Sequence, residues 1–248
     1  IQCSNRMMPI LQRSFPSIEV SDWQKHSQTV EHATPPFDFQ YPALSMVRTY
    51  RPTMNSIVSH APYISASTDL TQQLRQKYED KANGRRIVGI SWRSKNSEFG
   101  DAKSAPLTDW EPILCQKNVF FVNLQYGDCA KDIRSAEKKF GIEIYADPDV
   151  DASGDLDPVI AQIAATDLVV SISNSNVHFA AAMGVPVWSM LPISRGLIWF
   201  WFRERQDSPW YPSVRLFRQQ SAPVEGQPWW PEVIENVATE LEQWLAEP

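Results

Sequence analysis

The chain has 248 residues, 43% of them hydrophobic and 21% charged, enough to bury a sizeable core as one large unit or two small ones. Its net charge of −6 leaves no basic excess to neutralise a phosphate backbone, which sets a nucleic-acid surface aside. No apolar run approaches the ~20 residues of a membrane span, and the aromatic run at 197–202 is short and ends in Arg203-Glu204-Arg205. Cys3, Cys115 and Cys129 are widely spaced and odd in number. They suit a reducing compartment, and with no leader pattern in view the expected location is cytoplasmic.

In chain order, residues 1–3 read as the end of a strand, Arg6 to Phe15 as a helix, and Ile18 to Val20 as a short strand. This is a βαβ pattern without its earlier partners, as expected of the C-terminal part of something longer. Residues 24–42 are polar and without period. A short helix from Ala43 to Tyr50 follows, then a Pro-containing loop to Tyr63. A helix from Thr68 to Lys81, capped by Ser67 or Thr68, runs into the turn Asn83-Gly84.

From there the pattern becomes regular. Strands are expected at 86–92, 119–124, 143–145, 168–172, 187–191 and 214–218. Helices are expected at 107–115, 132–140, 158–165, 177–183 and 230–246. Such alternation predicts an α/β fold, a parallel sheet with helices on both faces. The expected division is 1–84, the end of one α/β unit and a linker, and 85–248, a Rossmann-like domain with a C-terminal helix.

The segment from Asp167 to Pro192 is the most telling. A buried strand leads into Ser173-Asn174-Ser175-Asn176, then a slim helix with Ala180-Ala181-Ala182, then Gly184 and a second apolar strand. The first N–H groups of a helix have no intrahelical partner and stand at the positive end of its dipole, so such a turn suits phosphate. Ser and Asn are also ordinary N-caps. His178, in the first helical turn, is aimed at whatever the turn holds.

Ligands of open α/β sheets sit beyond the carboxyl ends of the strands, which selects three more loops. The loop 92–104 offers Arg93, Lys95 and Lys103 toward a diphosphate. In the loop 124–128, Gly127 permits close approach beside Gln125 and Tyr126. The loop 147–157 is acidic, with Asp155 and Leu156 opening a helix. Its Asp149, Asp151, Asp155 and Asp157 lack the spacing of a regular calcium loop, so a solvated acidic turn is favoured over a metal site. Trp199, Trp201 and Phe202 read as core or interface before they read as a sugar platform. His26, His32 and His60 show no partners. Esterase, P-loop and dinucleotide-binding glycine motifs are absent.

Ser171, His178, Phe179, Ala180, Gly184, Pro186, Val187 and Trp188 together resemble the phosphate-binding segment of the family 9, heptosyltransferase-type glycosyltransferases. They are closer still to the C-terminal glycosyltransferase domains of bacterial tetratricopeptide-repeat proteins. The similarity is weak before residue 84 and good from 86 to 220, and Ser208 to Arg218 also matches the repeat-protein type. One departure stands out: Ser173-Asn174-Ser175 replaces the family's Asp-Ser/Thr-Gly.

The resemblance implies a GT-B architecture, with this chain supplying the half that binds a nucleoside diphosphate sugar. It implies Lys103, with Arg93 and Ser94 near it, at the diphosphate. Gln125, Tyr126, Gly127, Asp155 and Leu156 would border the nucleoside. Ser173, Asn174, Ser175 and Asn176 would hold phosphate through backbone N–H groups, with His178 orienting the turn or touching the phosphate. No cofactor and no metal are expected, and a general base is expected upstream. The acceptor is open among protein, lipid-linked glycan and polysaccharide. Rival readings are a catalytically inactive scaffold, motivated by the change at Ser173, and a sugar-nucleotide epimerase.

Overall fold

A computed structural model describes residues 1–23, 39, 41–58, 62–193, 195–221 and 229–247. His26, His32 and His60, and residues 24–38 and 40 of the expected aperiodic stretch 24–42, lie outside the described residues.

Six strands form the main sheet: β3 (Arg86–Ser91), β4 (Val119–Asn123), β5 (Ile144–Tyr145), β6 (Leu168–Ile172), β7 (Val187–Leu191) and β8 (Val214–Arg218). All pairs are parallel, and the spatial order is β5-β4-β3-β6-β7-β8. The central strands are apolar on both faces because helices cover both. Val88, Ile90, Leu168 and Val170 pack on one side, and Ile87, Val122, Val169 and Val187 on the other.

The first face is closed by helices Ala130–Phe140 and Pro231–Ala246, with Trp110 and Trp230 fully buried between them. The second is closed by helices Thr68–Ala82, Leu156–Ala164 and Ser175–Ala182. Strand order reverses between β3 and β6, and the elements that follow the two strands pack on opposite faces, the arrangement that defines the switch point of an open sheet. A separate two-stranded parallel sheet, β1 (Gln2–Cys3) with β2 (Ser21–Asp22), is joined by helix Met8–Ser14.

Four expectations are corrected. The second short strand is Ser21–Asp22 and not Ile18 to Val20: the partner of Gln2 is Ser21, and Ile18 remains exposed. No helix runs unbroken from 107 to 115. Pro112 has no N–H to give to the Thr108 carbonyl, so a 3-10 turn (Leu107–Asp109) and a short helix (Glu111–Leu114) meet at Trp110. The polar loop after β3 contains a further helical turn, Gly100–Lys103. The helix after β6 begins at Ser175, two residues before the expected Val177, with Asn174 as its N-cap.

Candidate functional site

Lys103 ends the turn Gly100–Lys103 and is only 8% exposed. Burying an ammonium is costly unless something balances it. Among the described residues no carboxylate or hydrogen-bond acceptor is paired with it, and burial holds its pKa below the ordinary lysine value. Gly196, at φ +90°, lies against the lysine stem so closely that a Cβ there would fall 2.9 Å from Lys103 Cγ.

His178 feels the same charge. Burial first, and then the Lys103 ammonium, push its pKa down to about 4, so the ring is neutral at pH 7. The imidazole is stacked on Trp201 at 5.0 Å and lies edge-on to Phe200, and its Nδ1 is 3.2 Å from the Tyr211 hydroxyl. These contacts hold the His178 ring among aromatic neighbours.

The turn before that helix is fixed by a buried polar network at the switch point. Asn174 Nδ2 donates to Ser91 Oγ (2.7 Å), and Asn174 Oδ1 accepts from the Asn176 N–H (3.0 Å). Asn176 Nδ2 donates to the Leu124 carbonyl (2.7 Å). Gln125 Oε1 accepts from Ser91 Oγ, the Trp92 N–H and the Arg93 N–H at 3.1, 3.0 and 2.7 Å. The carboxyl ends of β3, β4 and β6 are thereby locked together. Asn174 and Asn176 are nearly fully buried and directed into the protein, and Ser175 is the exposed residue of the turn.

Ser173, where the family pattern has Asp, is 2% exposed, and its Oγ accepts from Trp201 Nε1 at 2.8 Å. The indole takes up the side chain of the departing position. Arg218 in turn donates to the carbonyls of Trp201 (2.5 Å) and Arg205 (2.6 Å), fixing the aromatic segment over the turn.

The other expected residues are distributed as follows. Ser94 is tied into the Lys103 turn: its N–H donates to Ser104 Oγ (3.1 Å). The Tyr126 hydroxyl accepts from the Lys95 N–H (3.2 Å). Gly127, at φ +77°, has the Lys95 ammonium lying across it, where a Cβ would be 2.1 Å from Nζ. Arg93 turns elsewhere, pairing with Asp132 (3.1 Å) and donating to the Asp128 carbonyl (2.6 Å). Asp155 is the N-cap of helix Leu156–Ala164, and its side chain accepts from the Asp157 N–H. This loop follows β5, three strands from β6, about 14 Å away at ordinary strand spacing.

The acidic loop is internally satisfied. Asp147 accepts from Lys77 (2.6 Å) and Tyr78 (2.9 Å), Asp149 pairs with Lys77, and Asp151 accepts from Ser153. Among the described residues no group of three or more His, Cys, Asp or Glu side chains is placed to hold a metal.

Sequence reasoning missed Gly196, Tyr211 and the Ser91 hydroxyl, and read Trp201 as core or interface. Trp201 is indeed fully buried, whereas Trp199 is 59% exposed. The usable signal was an aromatic run just beyond the carboxyl end of β7.

This architecture is a GT-B-like glycosyltransferase fold. The chain is similar to a family 9 glycosyl transferase from Veillonella parvula, with TM-score 0.54 and 13% identity, over 75% of this chain and 54% of that one. It is also similar to the ADP-heptose lps heptosyltransferase II of E. coli, with TM-score 0.50 and 16% identity, over 75% and 55%. No protein-family description matches it. In sequence it is 31% identical over 251 residues to Protein FlbA of Caulobacter vibrioides, a match spanning 97% of this chain and 40% of that protein. The chain thus spans about half the length of the two solved structures and less than half of its curated relative. Among the described residues no helix is long and apolar enough to cross a membrane.

Proposed function

We propose that this chain is the donor-binding half of a glycosyltransferase that moves a sugar from a nucleoside diphosphate to an acceptor. The observation that carries the reading is Lys103, a lysine whose stem is buried and whose ammonium has no counterion among the described residues. It faces neutral His178 beside the N-terminus of helix Ser175–Ala182. An ammonium and a helix N-terminus together provide what a departing diphosphate needs, stabilisation of developing negative charge. The phosphates are held by Lys103, the Ser175 end of the helix and its exposed hydroxyl, without a metal. The nucleoside lies toward Gln125, Tyr126, Gly127 and the Asp155-Leu156 helix start. Arg93, engaged with Asp132, plays a lesser part. The division into an acceptor-side tail (1–84) and a donor domain (85–248), the tetratricopeptide-repeat context and a cytoplasmic setting belong to the same reading, with the general base on the half not present in this chain.

The test is a thermal-shift and calorimetric screen with ADP, GDP, UDP and CDP, each against its nucleoside. A diphosphate at a hundredfold excess over its Kd stabilises the fold by about 2.7 kcal/mol. A second reading, an inactive scaffold, is favoured by one observation: the hydroxyl of Ser173, where the resembled family has Asp, is occupied by Trp201. No stabilisation by any diphosphate would establish that reading over the first.

A further inference from the structure

The segment preceding the donor domain grips the loop expected to border the nucleoside. Arg6 donates to the Gly154 carbonyl through Nε (2.7 Å) and to the Ala152 carbonyl through Nη2 (3.2 Å). Arg13 makes a two-pronged bond to Asp157, at 2.5 and 3.1 Å, and its Nε donates to the Ser65 carbonyl at 2.9 Å. The Ser65 N–H donates back to Ser14 Oγ (3.0 Å), one residue along the same helix. Both arginines lie on or beside helix Met8–Ser14, and their targets bracket Asp155, the N-cap of helix Leu156–Ala164. Besides these anchors the loop is held by local turns, such as Asp151 to Ser153 and Gly154 to Asp151, and by Val150 and Ala152 packed on the core.

A fork-shaped guanidinium–carboxylate pair fixes direction as well as distance. Arg13 and Asp157 have 29% and 18% side-chain exposure, sheltered enough for the pair to act as a constraint. The geometry points to Arg6 and Arg13 as positioning residues: from the 1–22 unit they set the conformation of residues 152–157 and thereby the affinity for the nucleoside part of the donor. They touch no phosphate. Reciprocally, an occupied nucleoside pocket tightens the clamp and holds the 1–22 unit against the donor domain, because coupling between two sites runs both ways. This inference rests on the donor-site reading above, from which it takes the placement of the nucleoside.

The experiment uses the whole chain and separates the clamp from the phosphate pole. Binding of inorganic pyrophosphate and of the best-stabilising nucleoside diphosphate from ADP, GDP, UDP and CDP is measured for wild type, Arg13→Ala, Arg13→Lys and the swap Arg13→Asp/Asp157→Arg. Amide exchange of residues 151–157 is followed in each. Arg13→Ala should speed exchange there and weaken nucleoside diphosphate binding about five- to tenfold, with pyrophosphate binding unchanged. Arg13→Lys and the swap should recover part of both. Equal weakening of both ligands would mean general destabilisation and overturn the positioning role, as would unchanged exchange in Arg13→Ala. A wild type that binds pyrophosphate but no nucleoside diphosphate more tightly than it would also overturn the inference, while leaving the phosphate pole standing. Loss of pyrophosphate binding in Lys103→Met is the separate check on the donor-site reading.

Discussion

Two lysines on the same domain differ in what surrounds them. Lys77, on the helix over β5, bonds two carboxylates, Asp147 and Asp149, and its pKa is raised even though burial works against it. Lys103, more deeply buried, has no paired carboxylate among the described residues, and its pKa is lowered. A paired buried charge is explained by the fold around it. An unpaired one costs stability that the fold does not recover. Lys77 is therefore accounted for by the fold, whereas Lys103 carries the proposed anion site, a difference that no charge count or motif search distinguishes.

Exchange of each lysine for methionine is the sharpest way to break this contrast. Lys103→Met should weaken nucleoside diphosphate binding about a hundredfold, roughly 2.7 kcal/mol, while plain nucleoside binding changes little. Its melting temperature without ligand should stay level or rise, because an uncompensated charge is removed. Lys77→Met should do the opposite, lowering stability by about 2 kcal/mol by stripping Asp147 of its ion pair, with binding unchanged. Calorimetry and thermal melts on both variants decide the matter. Equal destabilisation in the two, with binding intact, would dissolve the distinction.

Acid sharpens the comparison through His178. Its folded pKa of about 4 lies below the ordinary 6.5 because burial and then Lys103 disfavour the imidazolium. The unfolded chain therefore binds a proton first as pH falls, so the stability present above pH 6.5 is progressively lost down to about pH 4. The loss is on the order of 2 kcal/mol, allowing for the ring's partial exposure. In His178→Gln, denaturant melts should show a shallower slope across that window. An identical slope would mean that His178 does not carry the pH dependence in that window.

The turn itself gives a smaller effect. Asn176 already gives its N–H to Asn174 and its side chain to Leu124, so a proline there would damage the scaffold. Ser175 is the better probe. It opens the helix, where proline is tolerated, and Asn174 before it is extended (φ −139°, ψ −173°), as a pre-proline residue must be. Ser175→Pro should cost about tenfold in diphosphate affinity, with the melting temperature nearly unchanged. Unchanged affinity would take the helix N-terminus out of the site.

Much of this was legible in the residues. Alternating apolar strands and capped helices from 86 onward predict the parallel sheet, whereas its strand order and switch point emerge only in the fold. Ser173 to His178 and Lys103 were nameable as candidates because they sit at strand ends. Their relations were not legible. Whether a basic residue is free or paired depends on which carboxylate the fold brings to it, and Asp132, on another helix, takes Arg93. Trp201 reaches Ser173 from 28 residues away, a contact no local pattern encodes. Pro112, by contrast, was in plain view, and its missing N–H is why the helix expected over 107–115 is broken.

The smallest expected effect concerns metal. If the phosphate charge rests on Lys103 and the Ser175 helix end, chelation with EDTA should change diphosphate affinity by less than about twofold. The acidic loop is the competing location for a cation, and its side chains have other commitments. Asp147 is bonded by Lys77 and Tyr78, Asp151 by Ser153, Asp155 by the Asp157 N–H, and Asp157 by Arg13. A divalent ion would have to break several of these bonds to gather the six or more oxygens that calcium takes, or the near-octahedral shell that magnesium demands. Titrations in EDTA, in magnesium and in manganese check this directly. A requirement for either metal, abolished by Asp151→Asn and untouched by Lys103→Met, would move the diphosphate from the switch point to the loop after β5 and reverse the roles assigned to the two lysines.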